Sequence, residues 1–352
     1  MSKLEDTIRR IGSLDQEAMA SARARQDTLT KPQGSLGRLE ELSIQLAGIT
    51  GKPQPRIQHK VIITMAGDHG VVAEGVSAYP QEVTPQMVYN FLRGGAGINV
   101  QARHAVAMVV VVDMGVACQM EPHRDLIIKK VAMGTRNMAV GPAMTRSEAI
   151  QALEAGIEVL EAEAAKGLDI VGTGDMGIGN TTASSAIAAA FTGCSVETLT
   201  GRGTGLNDEQ LQHKIGVIRR ALEVNRPDPA DPLGVLAGVG GLEIGGLAGV
   251  VLGAAANRIP VVVDGFISGA AALVACGLSP QAREYIIAAH RSVEVGHRAV
   301  LDHLGLKPLL DMDLRLGEGT GAALAIFIAE AAARILSEMS TFEEAGVSKA
   351  LE

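Results

Sequence analysis

Three glycine-rich stretches hold the side chains of this chain that have chemistry to offer. Gly172-Thr173-Gly174-Asp175-Met176-Gly177 has G-x-G-x-x-G spacing after a short apolar run and before a helix, where backbone N–H groups can meet a phosphate. As a dinucleotide fingerprint it is incomplete. Ribose recognition wants an acid about 20 residues on at the end of a second strand, and Glu197, the nearest, follows a Gly/Ala/Thr-rich helix. The continuation Gly177-Ile178-Gly179-Asn180-Thr181-Thr182 suits a single phosphate better, with tight strand-to-helix packing as the alternative. Gly201-Arg202-Gly203-Thr204-Gly205 precedes Lys214, and either Arg202 or Lys214 could neutralise that phosphate; the alternative is a flexible turn and a solvated lysine. Gly317-Glu318-Gly319-Thr320-Gly321 places one carboxylate between two glycines at the mouth of an apolar helix, where a substrate can approach the backbone closely. Burial would raise that acid's pKa and the helix dipole would lower it. It is a poised base if burial wins, and otherwise only a favourable charge at a helix start.

Other chemistries lack their residues. The chain has no G-x-x-x-x-G-K-[ST], which disfavours an ATPase. Asp68-His69 and Asp113 end two apolar runs, but the eight histidines are scattered without H-E-x-x-H, and His290 and His297 lack a carboxylate set. No metal site is expected; these are read as strand-end residues closing loops. Cys118, Cys194 and Cys276 form no C-x-x-C, so neither a disulfide framework nor a cysteine zinc site is predicted, and a reducing compartment is. A net charge of −8 argues against a nucleic-acid-coating surface. The uncharged run Met176 to Val196 is broken by Asn180, Thr181, Thr182, Ser184, Ser185 and Thr192, too polar for a membrane span. The start MSKLEDTIRRIG has no apolar core of a signal peptide. The expectation is a soluble cytoplasmic protein.

These loops need a frame. Val61 to Ala66 and Ala107 to Asp113 are continuous apolar runs suited to strands buried on both faces. Between them Thr84-Pro85 predicts a helix start and Gly94-Gly95 its end. Capping boxes Thr145 with Glu148 and Asn207 with Gln210 predict helices to about Lys166 and Asn225. Leu168 to Val171, Ile259 to Asp264 and Tyr285 to Ala289 are further strand candidates. Leu4, Ile8 and Ile11, then Leu36 to Leu46 after Ser35 as a cap, predict N-terminal helices; Gly321 to Met339 predicts a last one. Strands alternating with helices imply an α/β fold with a doubly wound, mostly parallel sheet flanked by helices, its ligand site at the carboxyl ends of the strands. Five Phe, three Tyr and no Trp beside 42 Gly mean an aliphatic core and glycine-rich loops.

Thr30 to Glu40 (TKPQGSLGRLE), Ala66 to Val71 with Glu82 to Met87, Gly177 to Thr182, Gly201 to Gly205, Val263-Asp264-Gly265-Phe266 and Gly317 to Gly321, in this order, resemble the nicotinate-nucleotide:dimethylbenzimidazole phosphoribosyltransferase (CobT) family of cobalamin biosynthesis. The resemblance covers nearly the whole chain. It implies transfer of phosphoribose from nicotinate mononucleotide to dimethylbenzimidazole, giving α-ribazole 5′-phosphate and nicotinate, with no cofactor or metal. It implies Glu318 as base and a second catalytic carboxylate at Asp175, where the family's glutamate is replaced by a residue one methylene shorter. Ser77, Tyr79, Gln86 and Leu316 would border the benzimidazole. Gly174, Gly177, Gly179, Asn180, Gly203, Lys214 and Ser292 would hold phosphate and ribose. The family also implies a homodimer and a large α/β domain, residues 27–300, with a small helical domain from both chain ends, residues 1–26 with 301–352. The rival readings are an NAD-binding dehydrogenase and a non-catalytic nucleotide-binding protein.

Overall fold

A computed structural model describes residues 2–203 and 205–348. Six strands form one parallel sheet: β1 (Lys60–Gly67), β2 (Met108–Gly115), β3 (Leu126–Ile128), β4 (Ile170–Met176), β5 (Val261–Val263) and β6 (Ile286–Ala288), in the order β3-β2-β1-β4-β5-β6. The apolar runs are buried on both faces, as their composition requires. Val61, Ile63 and Met65 of β1 face the helices Arg146–Ala164 and Leu242–Ala256; Ile62 and Ala66 face Thr320–Glu338 and Gly97–Ala105. The first two helices approach so closely that a methyl on Gly156 would collide with the Gly246 carbonyl, which gives the excess glycine a packing reason. Thr320–Glu338 is long and apolar enough to cross a bilayer. It lies instead in the core, with Ala322, Ala325, Ile326 and Ala329 fully buried.

Several local expectations shift by a few residues. Both capping boxes form: Thr145 Oγ1 accepts from Glu148 N–H and Asn207 Oδ1 from Gln210 N–H. Ser35 caps nothing, because the next helix (Arg38–Thr50) starts from Gly37 at φ 50°. Thr84 lies inside the helix Val83–Leu92, and its hydroxyl accepts the Ile178 N–H at 3.1 Å, tying that helix to the glycine loop. The largest difference is β4. It begins at Ile170 and runs to Met176, so Gly172 and Gly174 sit within the strand rather than in the loop after it. The chain ends meet where Leu29 bridges Thr341, and Ala22, Ala47 and Leu336 pack together.

Candidate active site

The order in which strands are added to the sheet reverses between the parallel neighbours β1 and β4, and ligands bind in the crevice at such a switch point. A cleft of about 520 Å³ lies there. It is lined from β4 by Asp175, Met176 and the loop to Thr181, and from later elements by Gly203, Lys214, Ser292, Leu316 and Glu318. Ser77 and Tyr79 complete its mouth. Two predicted residues fall outside it. Gly174 faces the backbone of Glu318, and a methyl there would collide with that carbonyl; Gln86 is solvent-exposed while its neighbour Met87 lines the wall. Thr204 lies outside the described residues.

At the acidic end, Gly317, Glu318 and Gly319 have φ of 78°, 64° and 98°. Left-handed backbone costs a residue with a Cβ roughly 1–2 kcal/mol, so Glu318 is held there by its surroundings. Thr64 Oγ1 of β1 donates to its carbonyl at 3.0 Å. Its carboxylate accepts the Ile98 N–H at 3.1 Å and the Gly97 N–H, the first donors of the helix Gly97–Ala105. Burial outweighs these donors and raises the Glu318 pKa above the ordinary glutamate value.

Asp175 is buried, with Oδ2 accepting from Asn180 Nδ2 at 2.9 Å and Oδ1 without a hydrogen-bond partner among the described residues. Burial first, then the charges of Asp264, Glu243 and Glu318, push its pKa well above the ordinary aspartate value.

At the basic end, Lys214 is buried rather than solvated, and its Nζ donates to Thr181 Oγ1 at 2.8 Å. Burial lowers its pKa to about 8, leaving it mostly protonated at neutral pH. Arg202 pairs instead with Asp208 and lies outside the lining. Sequence reasoning missed Arg315, which lines the cleft and donates to the Gly203 carbonyl at 3.4 Å, because it stands next to Leu316 in a loop with no motif of its own. It also missed the buried pair His69 and Glu243, 2.6 Å apart. Burial opposes the His69 charge, but Glu243 overcomes it and raises the His69 pKa. His69 packs beneath Gly179, so the pair underlies the glycine loop. Asp68 and Asp113 close loops, accepting from Ala117 N–H at 2.8 Å and Val116 N–H at 2.9 Å. Glu197 pairs with Arg219 and is no ribose ligand; with Gly172 and Gly174 inside β4, the dinucleotide reading has lost its parts.

A family model described as phosphoribosyltransferase matches residues 11–347. A nicotinate-nucleotide–dimethylbenzimidazole phosphoribosyltransferase of Desulforudis audaxviator is 62% identical over 350 residues, 99% of each chain. One of the same description from Geobacter sp. strain M21 is 61% identical over 99% of this chain and 100% of its own. A crystal structure of that enzyme from Thermus thermophilus superposes with a TM-score of 0.91 at 49% identity, covering 96% of this chain and 100% of its own. A CobT crystal structure from the same organism gives 0.92 at 50%, over 95% and 100%.

Proposed function

The chain belongs to the nicotinate-nucleotide–dimethylbenzimidazole phosphoribosyltransferase family, and from that premise we propose how its cleft performs the transfer, with Glu318 as general base. The enzyme moves phosphoribose from nicotinate mononucleotide to dimethylbenzimidazole in cobalamin biosynthesis. One ring nitrogen of the benzimidazole attacks the anomeric carbon from the face opposite the pyridinium. The carbon–nitrogen bond to nicotinate breaks, and its electron pair returns to the ring nitrogen and cancels the positive charge. The leaving group therefore needs no acid and no metal. The second benzimidazole nitrogen must shed its proton, and the Glu318 carboxylate takes it; inversion gives the α-riboside.

The observation that carries this reading is one buried carboxylate, locked in a left-handed turn and facing the same cleft as a buried lysine. Lys214, Thr181, Gly203 and Ser292 hold the phosphate and ribose, beside the loop Gly177 to Asn180. Tyr79 and Leu316, both half-exposed or more, flank the ring, with Ser77 at the rim. Asp175, in the same lining, offers bound substrate its buried Oδ1, which has no hydrogen-bond partner among the described residues. We further propose a homodimer acting in the cytoplasm, where Cys118, Cys194 and Cys276 stay reduced. Light scattering should give twice the 36.5 kDa of one chain. Incubation with nicotinate mononucleotide and dimethylbenzimidazole in excess chelator should release nicotinate and the α-riboside phosphate in equal amounts. No nicotinate, or none without an added divalent ion, would overturn the mechanism.

A further inference from the structure

The motif Val263-Asp264-Gly265-Phe266 plays no part in this mechanism, yet Asp264 is fully buried within reach of its centre. It follows β5 directly, and its two carboxylate oxygens diverge. Oδ1 accepts the Ala322 N–H at 2.8 Å and Oδ2 the Gly319 N–H at 3.3 Å, at the cap and first turn of the helix Thr320–Glu338, immediately after Glu318. Its own N–H donates to Thr173 Oγ1 of β4 at 3.2 Å, so the backbone from which the side chain extends is anchored to the sheet. Gly321 leaves it room: a Cβ there would lie 2.9 Å from Oδ1.

A helix start does not need this arrangement. A Ser, Thr or Asn at the cap position satisfies the first N–H groups with no buried charge, whereas the cap of Thr320–Glu338 is Gly319, which has no side chain. Among the described residues, the cationic candidate paired with Asp264 is His290, whose Nδ1 lies 3.8 Å from Oδ1 and whose pKa burial lowers, so no full ion pair offsets the cost of burying the acid. What a distant carboxylate supplies, and a local cap cannot, is a fixed position of the turn relative to β4 and β5. We infer that Asp264 is a positioning residue: by gripping Gly319 and Ala322 it locks the left-handed turn that aims the Glu318 carboxylate into the cleft.

The inference rests on Glu318 being the base, and a double-mutant cycle separates the two claims. Asp264→Asn keeps size but offers one acceptor where two are used. Misplacing a catalytic group by about 1 Å costs on the order of 10²-fold, so kcat should fall roughly 10- to 100-fold, with the KM for nicotinate mononucleotide within about threefold. In a Glu318→Gln background the same change should cost less than about threefold, because there is no base left to misplace. Equal losses in both backgrounds, an unchanged kcat, or an effect carried by KM would overturn the inference. If Asp264→Asn does not fold, Asp264→Glu, which keeps the carboxyl group but shifts both oxygens by a methylene, runs the same cycle and is read by the same criteria. A Glu318→Gln enzyme with near-normal kcat would overturn the base reading, and this inference with it. A slow Glu318→Gln enzyme with additive Asp264 losses overturns the inference alone.

Discussion

Two helices open onto the cleft from similar turns and do different work. Asn180–Thr192 starts at Gly179 with φ 96°, Thr320–Glu338 at Gly319 with φ 98°, and neither glycine supplies a capping side chain. At the first start no carboxylate among the described residues takes the place of a cap, and Lys214 and Thr181 stand beside it. At the second, Asp264 occupies the N–H groups from inside the protein. A helix N-terminus left to the solvent side is an anion site; the same terminus filled by an internal acid becomes a rigid mount. The Glu318 carboxylate then uses a third helix start, Gly97–Ala105, as its own partner.

Substituting the two cap glycines should separate these roles most strongly. Gly319→Ala forces a Cβ to 2.6 Å from Ile62 Cγ2 and 3.2 Å from the Thr173 carbonyl in a backbone that disfavours any side chain. Stability should fall about 1–3 kcal/mol. By misplacing Glu318, the change should also lower kcat on the order of 10²-fold. Gly179→Ala meets Val72 Cγ2 at 2.8 Å and His69 Cβ at 3.1 Å and should cost similar stability. Its kinetic effect should fall on the KM for nicotinate mononucleotide. If both variants moved the same kinetic constant, the contrast would be lost. Melting curves with separate kcat and KM measurements decide it.

Next in size, in the proposed role of Lys214 as phosphate ligand, Lys214→Gln removes a charge-assisted hydrogen bond worth roughly 1.5–3 kcal/mol, so kcat/KM for nicotinate mononucleotide should fall about 10- to 100-fold, mostly through KM. The two ends should also set opposite limbs of the pH profile of kcat/KM. As the proposed phosphate ligand Lys214 must be protonated, and its pKa of about 8 predicts a fall above pH 8. Lys214→Arg, which does not titrate there, should flatten that limb if it binds at all. As the proposed base Glu318 must be deprotonated, and burial raises its pKa, so activity should be lost as pH falls at a pH above the ordinary glutamate range. The smallest effect should come from Leu316→Ala, whose side chain is 60% exposed: a rise of a few-fold in KM for dimethylbenzimidazole, about the 1 kcal/mol of a partly covered aliphatic contact.

The frame was legible in sequence where the signal was local. Val61 to Ala66 and Ala107 to Asp113 read as doubly buried strands because their runs are almost wholly apolar, and the capping boxes at Thr145 and Asn207 are written within four residues. The glycine run at 172–177 misled, since Gly172 and Gly174 serve as strand residues beside Ile62 and Glu318 where side chains would not fit. Asp264 and Gly319 are 55 residues apart, and His69 and Glu243 are 174 apart; no periodicity joins them, so their pairing emerges only from the sheet order. Lys214 was visible as a candidate, but its burial depends on the helix face that packs under Thr181.

The central claim is that the left-handed turn presents a proton acceptor to the benzimidazole. Glu318→Gln tests it most directly, because the amide keeps the size of the side chain and its place at Gly97 and Ile98 but cannot take the proton. Measured at saturating concentrations of both substrates, kcat should fall about 10²- to 10⁴-fold, with the melting temperature and nicotinate mononucleotide affinity nearly unchanged. Near-normal turnover, with the α-riboside phosphate confirmed as product, would contradict the account.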